Sequence, residues 1–233
     1  VRADGALDGS LGSAADDAAL AAAAGEALLR GTSRTVTIGA RQVFVEAFPK
    51  KPRLVIVGAV EVARSLAIYA KELAYEVVVV DGRASFATPE RFPADRVDRL
   101  VVGWPDEAAE EVGLGRDDAV AVLTHDVKFD EPAIVEALRR GCRYVGAVGS
   151  RKTQGDRRAR LREAGVSDAE LDRLRGPVGL DLGGRSPAET ALAIMAEVVA
   201  ERYGGSGVPL HERARDAAAA PVAPSPVARL AAG

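Results

Sequence analysis

"RLVIVGAVEVARSLAIYAKELAYEVVVVDG" (residues 53–82) holds two β-branched runs, "RLVIVG" and "EVVVVD", separated by a segment of a different period. Each run carries four consecutive apolar residues, so neither keeps a face for water. Strands of that kind sit in parallel sheets covered on both sides. Between them Val62, Leu66, Tyr69 and Leu73 recur at spacings of four, three and four, which draws one apolar stripe along a helix. Strand, helix and strand in that order make a right-handed crossover between parallel neighbours.

The same alternation continues downstream. "RLVV" (99–102), "AVAVLTH" (119–125) and "YVGAVGS" (144–150) read as further strands, with helices over 105–112, 131–140 and 151–164. In "GGRSPAETALAIMAEVVAERYGG" (183–205), Ser186 is placed as N-cap, Pro187 at the first helical position and Glu189 as the reciprocal member of a capping box. Gly204 stops the helix. Leu192, Met195 and Val199 form its apolar stripe and are expected in the core. Residues 53–203 are therefore expected to form a doubly wound, Rossmann-like α/β domain with a parallel sheet.

Ahead of it, "SAADDAALAAAAGEALL" (13–29) reads as an Ala-rich helix and "TVTIGARQVFVEAF" (35–48) as two strands about a turn at Gly39. Residues 1–50 are expected to be a small α+β segment, the latter part of another unit. A first residue that is Val rather than Met suggests a fragment, a processed chain or a literally translated alternative start codon. Residues 206–233 end in "AAAAPVAPSPVARLAAG", whose Ala/Pro bias predicts a flexible tail.

With 233 residues, 48% hydrophobic and 28% charged, the chain buries one sizeable core beside a smaller unit. A net charge of −3 argues against a general nucleic-acid or anionic-membrane binder. No apolar run reaches the ~18 residues that span a bilayer, and no secretory leader is visible, so a cytoplasmic location is expected. The single cysteine, Cys142, permits no internal disulfide and no Cys cluster for zinc. It is expected to be a buried structural thiol. No metal site is assigned.

In open α/β sheets ligands collect beyond the carboxyl ends of the strands. The residues there are Gly58 after the first strand, Asp81 after the second, His125 and Asp126 after the fourth, and Gly149, Ser150, Arg151 and Lys152 after the fifth. Asp81 follows Gly58 by 23 positions, near the spacing at which an acid hydrogen-bonds a ribose in dinucleotide enzymes. Against that, the first turn reads "GAVEVA": Val60 blocks close backbone approach and Glu61 repels a pyrophosphate. His125 and Asp126 form either an acid–base or ligand-orienting pair, or a solvated loop residue beside a capping aspartate. Arg151 and Lys152 occupy a first helical turn, where cations are unfavourable unless an anion joins them. Ser150 as cap, the free N–H groups and the two cations together predict an oxyanion site. No nucleophile or Tyr-Lys pair stands at a strand end, so no catalytic residue is assigned. An NAD(P)-dependent oxidoreductase and a nucleotide-sensing regulatory module stay open as alternatives to a non-catalytic binder.

At "GAVGSRKTQ" followed by "GPVGLDLGGRSPAETALAIMAEVVA", the chain resembles the XdhC/CoxI family of accessory proteins for molybdenum hydroxylases. "PRLVIVGA", "VVVVDGRASFATPERFP", "WPDE" and "VLTHDVKFDEPAIVEALRRGCRYVGAVGSRK" match that family's Rossmann-like domain in order and spacing. "GALDGSLGS" and "VFVEAFPKKPRL" extend the resemblance toward the N-terminus. It implies a maturation factor that binds molybdenum cofactor (molybdopterin) and assists its delivery to the large subunit of a xanthine dehydrogenase or CO dehydrogenase. A cysteine desulfurase as second partner and a homodimer are also implied, and the anionic pterin would suit the Ser150–Lys152 site. The chain departs from the family pattern at two places. "GSLGSAADDAA" lacks the cysteine of a family Gly-Gly-Cys stretch, and the first turn is "GAV" where the family has "GAG".

Overall fold

The computed structural model describes residues 1–2 and 5–212, and most of the expected tail lies outside the described residues. The described residues divide into two compact units, one over residues 1–50 and the other over residues 51–212. In the first, α1 (Ala14–Arg30) starts at Ser13, whose side chain accepts a hydrogen bond from the Asp16 N–H, and ends at Gly31 in the left-handed conformation. β1 (Arg34–Ile38) and β2 (Arg41–Val45) pair antiparallel across the Gly39-Ala40 turn. Val36, Val43 and Val45 turn toward Leu20, Ala24 and Ala27 of α1, while Phe44 on the other face stays exposed. One dry and one wet face is the signature of an antiparallel pair.

The second unit runs β3 (Arg53–Val57), α2 (Glu61–Glu72), β4 (Glu76–Asp81), β5 (Arg99–Val102), α3 (Pro105–Val112), β6 (Ala119–Val122), α4 (Val127–Arg139), β7 (Tyr144–Ala147), α5 (Arg151–Glu163), α6 (Asp168–Leu171), β8 (Leu174–Arg175) and α7 (Pro187–Tyr203). All six strands are parallel, in the order β5-β4-β3-β6-β7-β8. Numbered from the first strand of the sheet this is 3-2-1-4-5-6, the Rossmann order. Strand alternation sorts the core into two layers. Val55, Val57, Val78 and Val80 pack against Ala108, Val112, Ile134 and Leu138 of α3 and α4. Leu54, Ile56, Val77 and Val79 pack against Leu66, Ala70, Ile194 and Met195 of α2 and α7. Each fully buried Val, Leu or Ile contributes about 1.5–3 kcal/mol, which is why neither face tolerates a polar residue mid-strand.

The parallel Rossmann-like sheet agrees with the expectation from the sequence. Its details differ in four places. Leu192 is half-exposed, because α7 faces the sheet with Ala191, Ile194, Met195 and Val198, and Leu73 is exposed while Ala63, Leu66, Ala67 and Ala70 form the buried stripe of α2. Small alanines let these two helices pack closely, so the true stripe lies slightly round from the one the larger side chains mark. α4 begins at Val127 rather than at 131, one turn before Pro132, because Asp126 caps it there. The sixth strand, β8, is two residues long without a β-branched side chain, and α6 is a single turn.

The capping box at α7 is formed. Ser186 Oγ accepts from the Glu189 N–H at 3.2 Å, and the Glu189 carboxylate accepts from the Ser186 N–H at 2.9 Å. Ser186→Ala is expected to cost about 1 kcal/mol of stability in urea denaturation. An unchanged midpoint would contradict this assignment.

Candidate functional site

The order of strands turns back between β3 and β6, so a crevice opens beyond their carboxyl ends. Gly58 closes β3 with φ of +107°, and a Cβ there would lie 2.3 Å from Thr124 Cγ2 on the loop after β6. Only a residue without a side chain lets these two strand ends approach so closely.

Asp81 ends β4 and is buried at 1% exposure. Its Oδ2 accepts from the Ala59 N–H and from Arg83 Nη2, both at 2.7 Å, and its Oδ1 accepts from the Arg83 N–H and Arg83 Nε, both at 2.9 Å. Burial alone would raise this carboxyl, but the Arg83 guanidinium and the Ala59 and Arg83 N–H groups outweigh it and hold it below the usual range. The arginine itself is half-exposed and lies 4.0 Å over the Phe86 ring, with Arg91 at 5.2 Å from the same ring.

An open cleft next to this clamp is lined by Val60, Arg83, Thr124, His125, Asp126 and Lys128. Asp126 is the N-cap of α4, accepting from the Lys128 N–H at 3.0 Å, and His125 is exposed beside it. Beneath the cleft lies a buried polar chain. Thr124 Oγ1 donates to Asp130 Oδ1, Asp130 Oδ2 accepts from Arg157 Nη2 at 3.2 Å, and Arg157 Nη1 reaches Gln154 Oε1 at 2.9 Å and the Val148 carbonyl at 3.0 Å. Burial pushes the Asp130 carboxyl up to about 6, against the pull of Thr124 and Arg157.

Gly149 and Ser150 lead into α5 at the end of β7. Ser150 Oγ accepts from the Thr153 N–H at 3.2 Å, and Arg151 and Lys152 are exposed with no ion pair among the described residues. Of the eight residues expected at a site, Asp126 and His125 line the cleft, and Gly58 and Asp81 build its floor through Thr124 and Arg83. Gly149, Ser150, Arg151 and Lys152 share the same sheet edge, one strand further on, and do not line it. The sequence reading missed Arg83, Asp130 and Arg157. Arg83 stands two residues after the strand-end aspartate, which is the signal available for it.

Cys142 is fully buried just before β7, at the opposite end of the sheet, and burial pushes its thiol up to about 12. Among the described residues no group of three or more His, Cys, Asp or Glu is placed to hold a metal ion, and no helix is long and apolar enough to cross a membrane.

A family model described as the XdhC Rossmann domain matches residues 54–198, more than half of the chain and almost all of the sheet unit. The chain belongs to the XdhC family. Among relatives of this XdhC-family chain, a Bacillus subtilis protein named as a probable xanthine dehydrogenase subunit is 29% identical over 69% of this chain and 46% of its own length. The "Molybdenum cofactor insertion chaperone PaoD" of Escherichia coli K12 is 34% identical over 41% of this chain and 30% of its own. A crystal structure described as a xanthine dehydrogenase from Bacillus halodurans superposes with a TM-score of 0.57 at 28% identity, covering 69% of this chain and 44% of that one. The chain thus spans less than half the length of these relatives.

Proposed function

We propose that this XdhC-family chain is an accessory maturation factor that binds molybdenum cofactor and assists its delivery to the large subunit of a molybdenum hydroxylase. The observation that carries the reading is the row of cations along the carboxyl edge of the sheet: Arg83 and Lys128 in the cleft, then Arg151 and Lys152 unpaired at the start of α5. From β4 to β7 this edge crosses three strand spacings, about 14 Å, room for an elongated phosphorylated heterocycle. The residues fit the pterin through its anionic and ring oxygens rather than through the metal, since the only thiol is buried at the far end of the sheet. When bound, the cofactor supplies the molybdenum chemistry, and the chain's own part is to hold and shield it. The names borne by the Bacillus and Escherichia coli relatives support the same role. A cysteine desulfurase as second partner, a homodimer and a cytoplasmic location belong to this proposal.

The first-turn N–H groups of Arg151 and Lys152 would meet the phosphate, the Thr153 N–H being taken by Ser150 Oγ, and the two cations would neutralise it. Removing one charge-assisted contact typically costs ~1.5–3 kcal/mol, so Arg151→Ala is expected to weaken molybdopterin binding by roughly ten- to hundredfold in calorimetry while the melting temperature barely moves. Mass spectrometry of ligand released from anaerobically purified protein should find a pterin. Intact affinity in Arg151→Ala with a strongly destabilised apo-protein would relocate the ligand to the cleft around the Asp81–Arg83 pair and His125. The oxidoreductase reading fares worse, because it needs Asp81 free for a ribose.

A further inference from the structure

We infer that Arg83 is a specificity-determining residue that turns the ribose-reading position of this Rossmann unit into one that refuses a nucleotide diol and takes an anionic oxygen group. An ionised carboxylate offers about four acceptor positions. In Asp81 all four are filled: two by Arg83 side-chain N–H groups, one by the Arg83 backbone and one by the Ala59 N–H of the β3–α2 turn. A cis-diol binds such an aspartate by donating two O–H groups to it, and no acceptor is left to receive them.

Arg83 replaces what it blocks. Its Nε and Nη2 edge is spent on Asp81, its face lies on Phe86, and its Nη1 has no partner among the described residues. The side chain lines the cleft beside Lys128 and His125, with Asp126 as the facing carboxylate, already bonded to the Lys128 N–H. What reaches Asp81 itself therefore finds no vacant acceptor there and meets the Arg83 Nη1 donor, the remaining carboxylate acceptors of the cleft being those of Asp126. A phosphate oxygen is the stronger partner for that donor, because the bond is charge-assisted on both sides, whereas a hydroxyl accepts from it only as a neutral group and has its own proton left to place. The phosphate could belong to a pterin or to the 2′ position of a nucleotide, and the chemistry demanded at Arg83 is the same.

The inference rests on the proposed ligand site but not on the identity of the cofactor, so it can be tested with three adenine probes that differ only at the sugar. Binding of adenosine, 2′,3′-dideoxyadenosine and 2′-AMP to the full chain is followed by NMR line-shape titration. The wild type is expected to bind adenosine and its dideoxy analogue equally and 2′-AMP at least tenfold more tightly. In Arg83→Met the 2′-AMP advantage should vanish and adenosine should gain several-fold over the dideoxy analogue, a gain that Asp81→Asn in the same background removes. Arg83→Lys, which keeps the charge but cannot bridge both carboxylate oxygens, guards against a fold defect and should retain a preference for 2′-AMP. A wild-type preference for the diol, an unchanged ranking in Arg83→Met, or no measurable binding of any probe to either protein overturns the inference. If the ranking holds while purified protein carries no pterin, the cofactor reading fails and the role of Arg83 stands. NADP(H) binding with hydride transfer would assign the same anion position to a nucleotide.

Discussion

Arg157→Ala is expected to lower the stability of the sheet unit by about 3–5 kcal/mol at pH 7, the scale of breaking a buried ion pair by removing one partner. Arg157 and Asp130 are 3% and 1% exposed, so the carboxylate left behind finds no water. Thr124 would remain its one side-chain partner, while Gln154 and the Val148 carbonyl would each lose a donor. The loss should depend on pH with a definite sign. Asp130 already titrates near 6, above the unfolded value near 3.9, so it costs stability as pH rises from about 4 through about 6. Without Arg157 that carboxyl is held higher still, and protonation relieves it. Urea denaturation at pH 5 should therefore show a smaller gap between variant and wild type than at pH 7. A gap under 1 kcal/mol at both values would mean that the pair is not formed. Asp81 has the opposite sign: its lowered carboxyl contributes stability above the unfolded value that is lost on acidification through its own, lower pKa.

The parallel sheet could be read from the sequence because "LVIV" and "VVVV" have no wet side, and only a doubly covered sheet accepts that pattern. The buried arginine could not. Arg157, Arg158, Arg160 and Arg162 look alike in a basic helix, yet Arg157 turns under the cleft while Arg158 bonds the Leu174 carbonyl, Arg160 pairs with Glu131 and Arg162 with Asp168. Which member of a charge run faces inward depends on where an acid from another element arrives, and Asp130 lies 27 residues away. The same limit applied at Asp81. Its place at a strand end was legible, but its loss of free acceptors depends on Arg83 folding back after Gly82, where a Cβ would stand 3.3 Å from the Phe129 ring. His125 and Asp126 were legible as strand-end residues. The capping reading of Asp126 was legible too, whereas the cleft that both residues line depends on where α4 starts.

Gly58→Ala is the other large effect expected, and it strikes the fold and the cleft together. At φ of +107° an L-residue is strained by ~1–3 kcal/mol. Its Cβ would also stand 2.3 Å from Thr124 Cγ2, 3.3 Å from the Thr124 nitrogen and 3.5 Å from the Leu123 carbonyl carbon, an overpacking typically worth a further ~1–3 kcal/mol. Gly103 in the loop after β5 supplies the contrast. A Cβ there meets nothing within 4 Å and φ is not positive, so Gly103→Ala should stay within about 0.5 kcal/mol of wild type. The clash and the backbone strain can be separated, because Thr124→Ser removes the offending methyl but keeps the hydroxyl that binds Asp130. In a double-mutant cycle Gly58→Ala with Thr124→Ser should recover the overpacking part and leave the strain, a coupling of about 1 kcal/mol or more between the two positions. Strict additivity would mean that the β3 end can move away from the β6 loop. The crevice where the sheet reverses would then be wider than the one described, and Asp81 would no longer be held to the Ala59 N–H.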